Sequence, residues 1–281
     1  MIKESAKQIY GILGYPAKHS LSPLMHNAAF RALNIDAEYR VFEINRDGLE
    51  PFFADIFKRN IQGFNITVPY KEEAVKYLDY IHPDARMIGA VNTVKVSGHK
   101  LEGFNTDGEG FIKSLHEDLG FDPKGARIAV LGAGGSSKAI TAALCAARPR
   151  KIAVYNRDLE KARHLISRLA DNFKDTELKL AAKTEELDIE EADLLVNATS
   201  VGMKPEDRLL VDPKSLRKGL LVYDLVYNPA CTRLLEAALE RGCRTANGLG
   251  MLLYQGMGSF QIWTGKKAPE SVMRDALEDG S

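Results

Sequence analysis

The stretch 63–68, Gly-Phe-Asn-Ile-Thr-Val, alternates apolar and polar positions. Phe64, Ile66 and Val68 fall on one face, Asn65 and Thr67 on the other, which is the period-two signature of a half-buried strand. Strand-like runs recur at 8–13, 37–43 and 90–97, and helical spacing fills the intervals at about 23–33, 49–59 and 72–80. From Arg127 a second series begins: the strand RIAVL, a Gly-rich turn, a helix and the strand KIAVY. Further strands are predicted at 193–198, 220–225 and 243–246. Strands and helices in alternation predict an α/β protein with mostly parallel sheets. The helices predicted at 250–264 and 269–277 follow the end of the second series. They are expected to return to the first domain and make it discontinuous.

Pro69 ends the strand at 63–68, and the helix predicted from position 72 leaves Lys71 at its mouth. A cation there faces the positive end of the helix dipole. A lysine placed against a local rule is either a tolerated surface residue or a site residue.

The turn GAGGSSKA, Gly132 to Ala139, joins the strand at Arg127 to its helix. Glycines let the backbone turn tightly and approach a pyrophosphate, which binds at the helix N-terminus. Ser137 occupies the third fingerprint position, where Gly or Ala is usual. The next strand ends in YNRD, Tyr155 to Asp158. A NAD site usually carries an acid there for the ribose 2′-hydroxyl, whereas Arg157 offers a planar cation for adenine and a 2′-phosphate, with Lys161 one helical turn later. That favours NADP. Asp158 either caps the following helix, the reading we prefer, or binds the ribose diol.

The first domain carries a polar constellation. Ser22 before Pro23 reads as the N-cap of a helix, while Ser20 has no such structural reason. Together they suit a carboxylate cradle near free helix N–H groups. Asn92 stands among apolar residues and needs hydrogen-bond partners if buried. Thr106 with Glu109 resembles a capping box, so Thr106 and Asp107 either cap a helix or, for Asp107, supply a carboxylate to a cleft. A lysine, an aspartate and asparagines at element ends beside a dinucleotide domain make a reasonable carbonyl-reducing site, with hydride from the cofactor and a proton from a titratable residue.

Composition narrows the rest. The 281 residues hold 38 Lys plus Arg against 38 Asp plus Glu, so no bulk charge points to nucleic acid or membrane. The six histidines are scattered without ligand spacing, and no metal is expected. His19 and His26 read as local hydrogen-bonding residues. Cys145, Cys231 and Cys243 lack metal or redox spacing and read as buried free thiols, the first two in helices and the third in a strand. The opening MIKESAKQIYGILG lacks a basic start followed by an apolar run, so a cytoplasmic protein is expected. The oligomeric state is not readable, and a homodimer stays open.

The ordered motifs HSLSPLMHN, GFNITVPYK, GAVNT, GFNTDGEGF, GAGGSSKA, NATSVGM, DLVYNP and NGLGMLLYQG run from near Gly14 to the last helices. With them the chain resembles the shikimate dehydrogenase family, whose members reduce 3-dehydroshikimate to shikimate with NADPH in aromatic amino-acid biosynthesis. The resemblance implies two α/β domains flanking a cleft. Residues 1–105 with 248–281 would form the substrate-binding catalytic domain, and 106–247 the Rossmann-type, doubly wound NADP-binding domain. It makes Lys71 the catalytic lysine, partnered by Asp107. Ser20 and Ser22 would hold the substrate carboxylate, with Tyr227 nearby. Thr67, Asn92, Asp107 and Gln255 would contact the ring and its hydroxyls. Gly132, Ala133, Gly134, Gly135 and Ser136 would cradle the pyrophosphate. Asn156, Arg157 and Lys161 would hold the 2′-phosphate end, with Asp158 beside them. Leu225 and Gly248 would approach the nicotinamide. The alternatives are a NAD-preferring quinate/shikimate dehydrogenase, a non-catalytic nucleotide-binding regulatory module and a folate-dehydrogenase-like enzyme. The presence of Lys71 and Asp107 speaks against the second, and the Ser20–Ser22 pair against the third.

Overall fold

The computed structural model describes residues 7–280. Residues 1–6, on which part of the cytoplasmic expectation rests, lie outside them. Two compact units divide the chain: residues up to Thr106 with those from Gln255 onward, and Asp107–Tyr254.

The first unit opens with β1 (Gln8–Gly14), α1 (Ser22–Ala32), β2 (Ala37–Glu43), α2 (Leu49–Asp55) and β3 (Ile61–Ile66). It continues with β4 (Tyr80–Ile81), α3 (Pro83–Ile88), β5 (Thr93–Ser97) and β6 (Lys100–Phe104). The strands form one six-stranded sheet in the order β2-β1-β3-β5-β6-β4. β1 pairs parallel with β2 and β3, but β5 runs antiparallel to both its neighbours. The sheet is therefore mixed, with three of its five pairings parallel and the two made by β5 antiparallel. The reason is local: Ser97 pairs with Lys100, and so short a connection joins only antiparallel strands, with Gly98 supplying a φ of +62°.

β3 is an interior strand, and it is buried on both faces: Ile61, Gly63 and Asn65 on one, Phe64 and Ile66 on the other. Asn65, expected on a wet face, is buried, and Val68, expected on the apolar face, lies beyond the strand at 66% exposure. The helix expected at 72–80 is a short 3₁₀ segment, Glu73–Tyr77. Five residues sum too few peptide dipoles to act on Lys71 as a helix macrodipole would. Leu13, Phe52, Phe53, Ile56, Phe64 and Val94 belong to the core of this unit.

The second unit contains α4 (Asp107–Leu119), β7 (Arg127–Leu131), α5 (Gly135–Ala146), β8 (Lys151–Tyr155), α6 (Leu159–Asn172) and β9 (Glu177–Ala181). After them come β10 (Leu194–Asn197), β11 (Leu221–Asp224), α7 (Arg233–Glu240), β12 (Arg244–Ala246) and the start of α8 (Leu249–Thr264). The border between the units runs through α8, which continues into the first unit, followed there by α9 (Glu270–Glu278). The six strands stand in the order β12-β11-β10-β7-β8-β9, and every pair is parallel. The chain starts in the middle at β7, builds outward to β9, then returns beside β7 to build the other half. That is the doubly wound pattern, with the order reversing between β7 and β10. The interior strands are near-continuous apolar runs such as IAVL and IAVY because a parallel sheet is covered on both faces, whereas the edge strands β9 and β12 carry charges.

Cys145 and Cys243 are buried, but Cys231 is exposed and precedes α7 instead of lying within it. Among the described residues no helix is long and apolar enough to cross a membrane.

Candidate active site

The first unit gathers its polar residues at the ends of β1, β3 and β5. Gly14 ends β1 so close to Thr67 that a Cβ on Gly14 would collide with the Thr67 methyl. Tyr15 N–H donates to the Val68 carbonyl at 3.2 Å, which ties the two following loops together. α1 starts at Ser22, but its N-cap position is Leu21 and no side chain caps it. The Ser22 N–H donates instead to the Ser20 hydroxyl at 3.2 Å. The expected roles thus exchange: Ser20 serves the helix start, and Ser22 is buried without acting as a cap.

Lys71 is nine-tenths buried, and its carbonyl accepts from Val91 N–H at 2.8 Å, which fixes the lysine beside the segment leading to Asn92. Asn92 is locked on both sides of its amide. Its Oδ1 accepts from Thr106 N–H at 2.8 Å and from the Thr93 hydroxyl at 2.9 Å. Its Nδ2 donates to Thr106 Oγ1 at 2.9 Å and to Gln255 Oε1 at 3.2 Å. Thr106 precedes Asp107 directly, and Asp107 is buried at the first position of α4.

A second layer stands behind Asn92, and sequence reasoning missed it. Asn65 Nδ2 donates to the Asn92 carbonyl at 3.1 Å, to Thr93 Oγ1 at 3.2 Å and to Ser259 Oγ at 2.8 Å. Asn65 Oδ1 accepts from the Tyr39 hydroxyl at 2.7 Å. The available signal was Ser259 standing one helical turn after Gln255 in α8; its hydroxyl donates to the Gln255 carbonyl at 3.1 Å. A buried polar network satisfied in this way rigidifies the residues it contains.

His26 departs from its expected role. It is fully buried in α1, stacked on Tyr39 at 4.4 Å, and neither ring nitrogen has a hydrogen-bond partner. Burial pushes its pKa down to about 3, so it is a neutral aromatic core residue.

In the second unit the Gly-rich turn fits a pyrophosphate. Gly132 has φ +113°, and a Cβ there would meet the Ala198 carbonyl at 2.7 Å. Gly134, the N-cap of α5, faces open space, and no side chain caps that helix. Ser137 explains its own departure from the fingerprint: its hydroxyl donates to the Gly132 carbonyl at 2.6 Å and braces the turn. Asn156 links the turn to β8, accepting from Ala133 N–H at 3.1 Å and donating to the Asp158 carbonyl at 2.8 Å. Asp158 is the N-cap of α6, its carboxylate accepting from Glu160 and Lys161 N–H. Arg157 and Lys161 are exposed, and among the described residues neither is ion-paired, which suits a phosphate dianion. Leu225 and Gly248 are adjacent: a Cβ on Gly248 would collide with the Leu225 carbonyl. Tyr227 lies in the loop after β11. Among the described residues no group of His, Cys, Asp and Glu stands together to hold a metal ion.

Family models match along the chain: "Shikimate dehydrogenase substrate binding domain" over residues 12–94, "Shikimate / quinate 5-dehydrogenase" over 114–206 and "Shikimate 5'-dehydrogenase C-terminal domain" over 248–278. The chain is 41% identical over 278 residues to a shikimate dehydrogenase (NADP(+)) of Methanopyrus kandleri, covering 98% of this chain and 96% of the relative. The solved shikimate dehydrogenase of Aquifex aeolicus superposes with a TM-score of 0.89 at 41% identity, covering 97% of this chain and 98% of its own. That of Thermus thermophilus, solved in complex with NADP(H) and shikimate, gives a TM-score of 0.86 at 34% identity, with 98% and 100% covered.

Proposed function

The chain belongs to the shikimate dehydrogenase family of NADP-dependent oxidoreductases, and from that premise we propose how its residues carry the reversible reduction of 3-dehydroshikimate to shikimate. The observation that carries the reading is the locked amide of Asn92, held by Thr106 and Gln255 beside the segment that Lys71 anchors. A substrate hydroxyl that displaces Gln255 from Asn92 Nδ2 then meets an amide already held in one defined geometry, which is what ring orientation requires.

In this reading Ser20 and Ser22 receive the substrate carboxylate, with Tyr227 in support. Thr67, Asn92, Asp107 and Gln255 orient the ring through its hydroxyls. Bound NADPH supplies the hydride. Lys71 gives a proton to the ring carbonyl oxygen or stabilises the charge that develops there, with Asp107 as its partner. Gly132 to Ser136 receive the pyrophosphate at the N-terminus of α5, Arg157 and Lys161 the 2′-phosphate, and Leu225 and Gly248 the nicotinamide end. Asn156 and Asp158 shape the cofactor turn from behind, since their side chains bond to backbone there. The substrate part is 1–105 with 248–281 and the cofactor part 106–247. The enzyme works in the cytoplasm, which its three free cysteines suit.

The test is steady-state oxidation of shikimate and of quinate, each with NADP and with NAD. Fast turnover of shikimate with NADP and little elsewhere is expected. Comparable rates with quinate or NAD would move the chain to the broader quinate/shikimate branch. No turnover in any combination would reject the reading.

A further inference from the structure

At the end of β11 stands Asp224, a fully buried carboxylate to which the catalytic reading assigns nothing. Among the described residues no cation pairs with it, so dipoles alone hold it. Asn197 Nδ2 donates to its Oδ1 at 2.9 Å, and Val226 N–H donates to the same oxygen at 3.0 Å. The Thr232 hydroxyl donates to Oδ2 at 2.7 Å. Burial raises its pKa to about 6. A buried carboxylate is costly to keep, and three convergent donors are the condition for keeping it.

Those donors come from segments with one thing in common. Asn197 ends β10, and its Oδ1 accepts from Thr199 N–H and hydroxyl, which shapes the loop whose Ala198 carbonyl packs on Gly132. The Val226 bond closes a turn around Leu225, whose own N–H donates to the Asn197 carbonyl at 2.9 Å. Gly248 packs against the Leu225 backbone, and its N–H donates to the Val226 carbonyl at 3.4 Å. Thr232 is the N-cap of α7 and accepts from Leu235 N–H. Asp224 therefore ties the loops after β10 and β11 to each other and, through Leu225 and Val226, to Gly248 at the start of α8.

In a doubly wound sheet a dinucleotide lies across the carboxyl ends of the strands, one half on each side of the order reversal. Arg157 follows β8 on the adenosine side. The ends of β10 and β11 lie on the other side. We propose that Asp224 is a positioning residue for the nicotinamide half of the cofactor, holding Leu225 and Gly248 in the geometry that hydride transfer requires. This rests on the cofactor placement given above. It assigns to the interior of the cofactor unit a role that no substrate-contacting residue covers.

The experiment uses the full chain with Asp224→Asn, since an amide offers only one acceptor oxygen and cannot serve donors on both sides. The readouts are kcat with shikimate and NADP, and the Kd of adenosine 2′,5′-bisphosphate, which carries the adenosine end alone. The expected result is a fall in kcat of about tenfold, equivalent to roughly 1.4 kcal/mol on the barrier, with the bisphosphate Kd unchanged. Unchanged kcat overturns the proposal, and so does a bisphosphate Kd that weakens in step, which marks general loosening of the unit. If Asp224→Asn does not fold, Thr232→Val removes one donor, and Thr232→Ser restores it. The valine variant is expected to lower kcat about threefold and the serine variant to recover it; equal rates in both overturn the proposal. A wild-type chain that does not turn over shikimate rejects the functional reading and this proposal with it. An active wild type with unaltered variants rejects this proposal alone.

Discussion

Lys71 carries the proton chemistry in our reading, and its burial gives the test a clear form. Methionine matches its length without the ammonium, so Lys71→Met is expected to lower kcat by about 10²–10⁴ while the melting temperature stays near that of wild type. A variant that keeps near-normal kcat removes Lys71 from the mechanism. His26 makes a different prediction, about stability. Its folded pKa is depressed to about 3 against 6.5. Below about pH 6.5 the unfolded chain therefore takes up a proton that the folded chain refuses. Stability falls as pH drops, by up to about 1.4 kcal/mol per pH unit, until pH approaches the folded value. Asp224 acts in the opposite sense. Its pKa is raised from 3.8 to about 6, so the folded chain keeps a proton that the unfolded chain has lost, and its contribution grows as pH falls through that window. Comparing wild type with His26→Phe cancels the Asp224 effect. Urea unfolding is expected to show the variant gaining on wild type by about 1.6 kcal/mol between pH 6.5 and 5. A difference that does not move with pH contradicts the neutral, buried imidazole.

At the scale of elements, β3 shows how the first unit is held. It lies between β1 and β5, and its one buried amide, Asn65, connects β2 through Tyr39, β5 through Thr93 and α8 through Ser259. Tyr39→Phe deletes the donor to Asn65 Oδ1 and leaves a buried acceptor unserved. The expected loss is about 1–3 kcal/mol of unfolding free energy in urea, and a loss near zero would mean that the Tyr39 bond does not hold the layer. This layer was illegible in the sequence because its partners lie 26 to 194 positions apart. Alternation at 63–68 correctly marks a strand, but a buried network inverts the rule that polar means wet. The 3₁₀ segment at Glu73–Tyr77 and the exchanged roles of Ser20 and Ser22 were lost for a related reason. Short elements are decided by which hydroxyl or carbonyl reaches a free N–H, and residue type does not fix that. Most of the second unit was legible because its signals are local: continuous apolar strands, a Gly-rich turn and an Asp158 cap within a few residues of the N–H groups it serves. The edge strand β9 was not, because ELKLA carries charges and shows no continuous apolar run.

For the whole molecule, the order reversal between β7 and β10 makes cofactor choice separable from catalysis. Arg157 follows β8, on the side of the reversal away from β11, and it belongs to a different unit from Lys71. The backbone work at that corner is done by Asn156 and Asp158, which leaves the guanidinium to the ligand. NADP at a hundredfold excess over its Kd is expected to add about 2.7 kcal/mol of stability, read as a rise of several degrees in melting temperature. Arg157→Ala removes a charge-assisted contact to the 2′-phosphate, a loss of roughly 1.5–3 kcal/mol that weakens NADP about 10- to 100-fold. NAD lacks that phosphate, so its smaller thermal shift is expected to stay as in wild type, and kcat at saturating NADP is expected to hold. If NAD and NADP weaken by the same factor, Arg157 acts only by stacking on adenine. The preference for NADP must then be sought in other cations, Lys161 first among them.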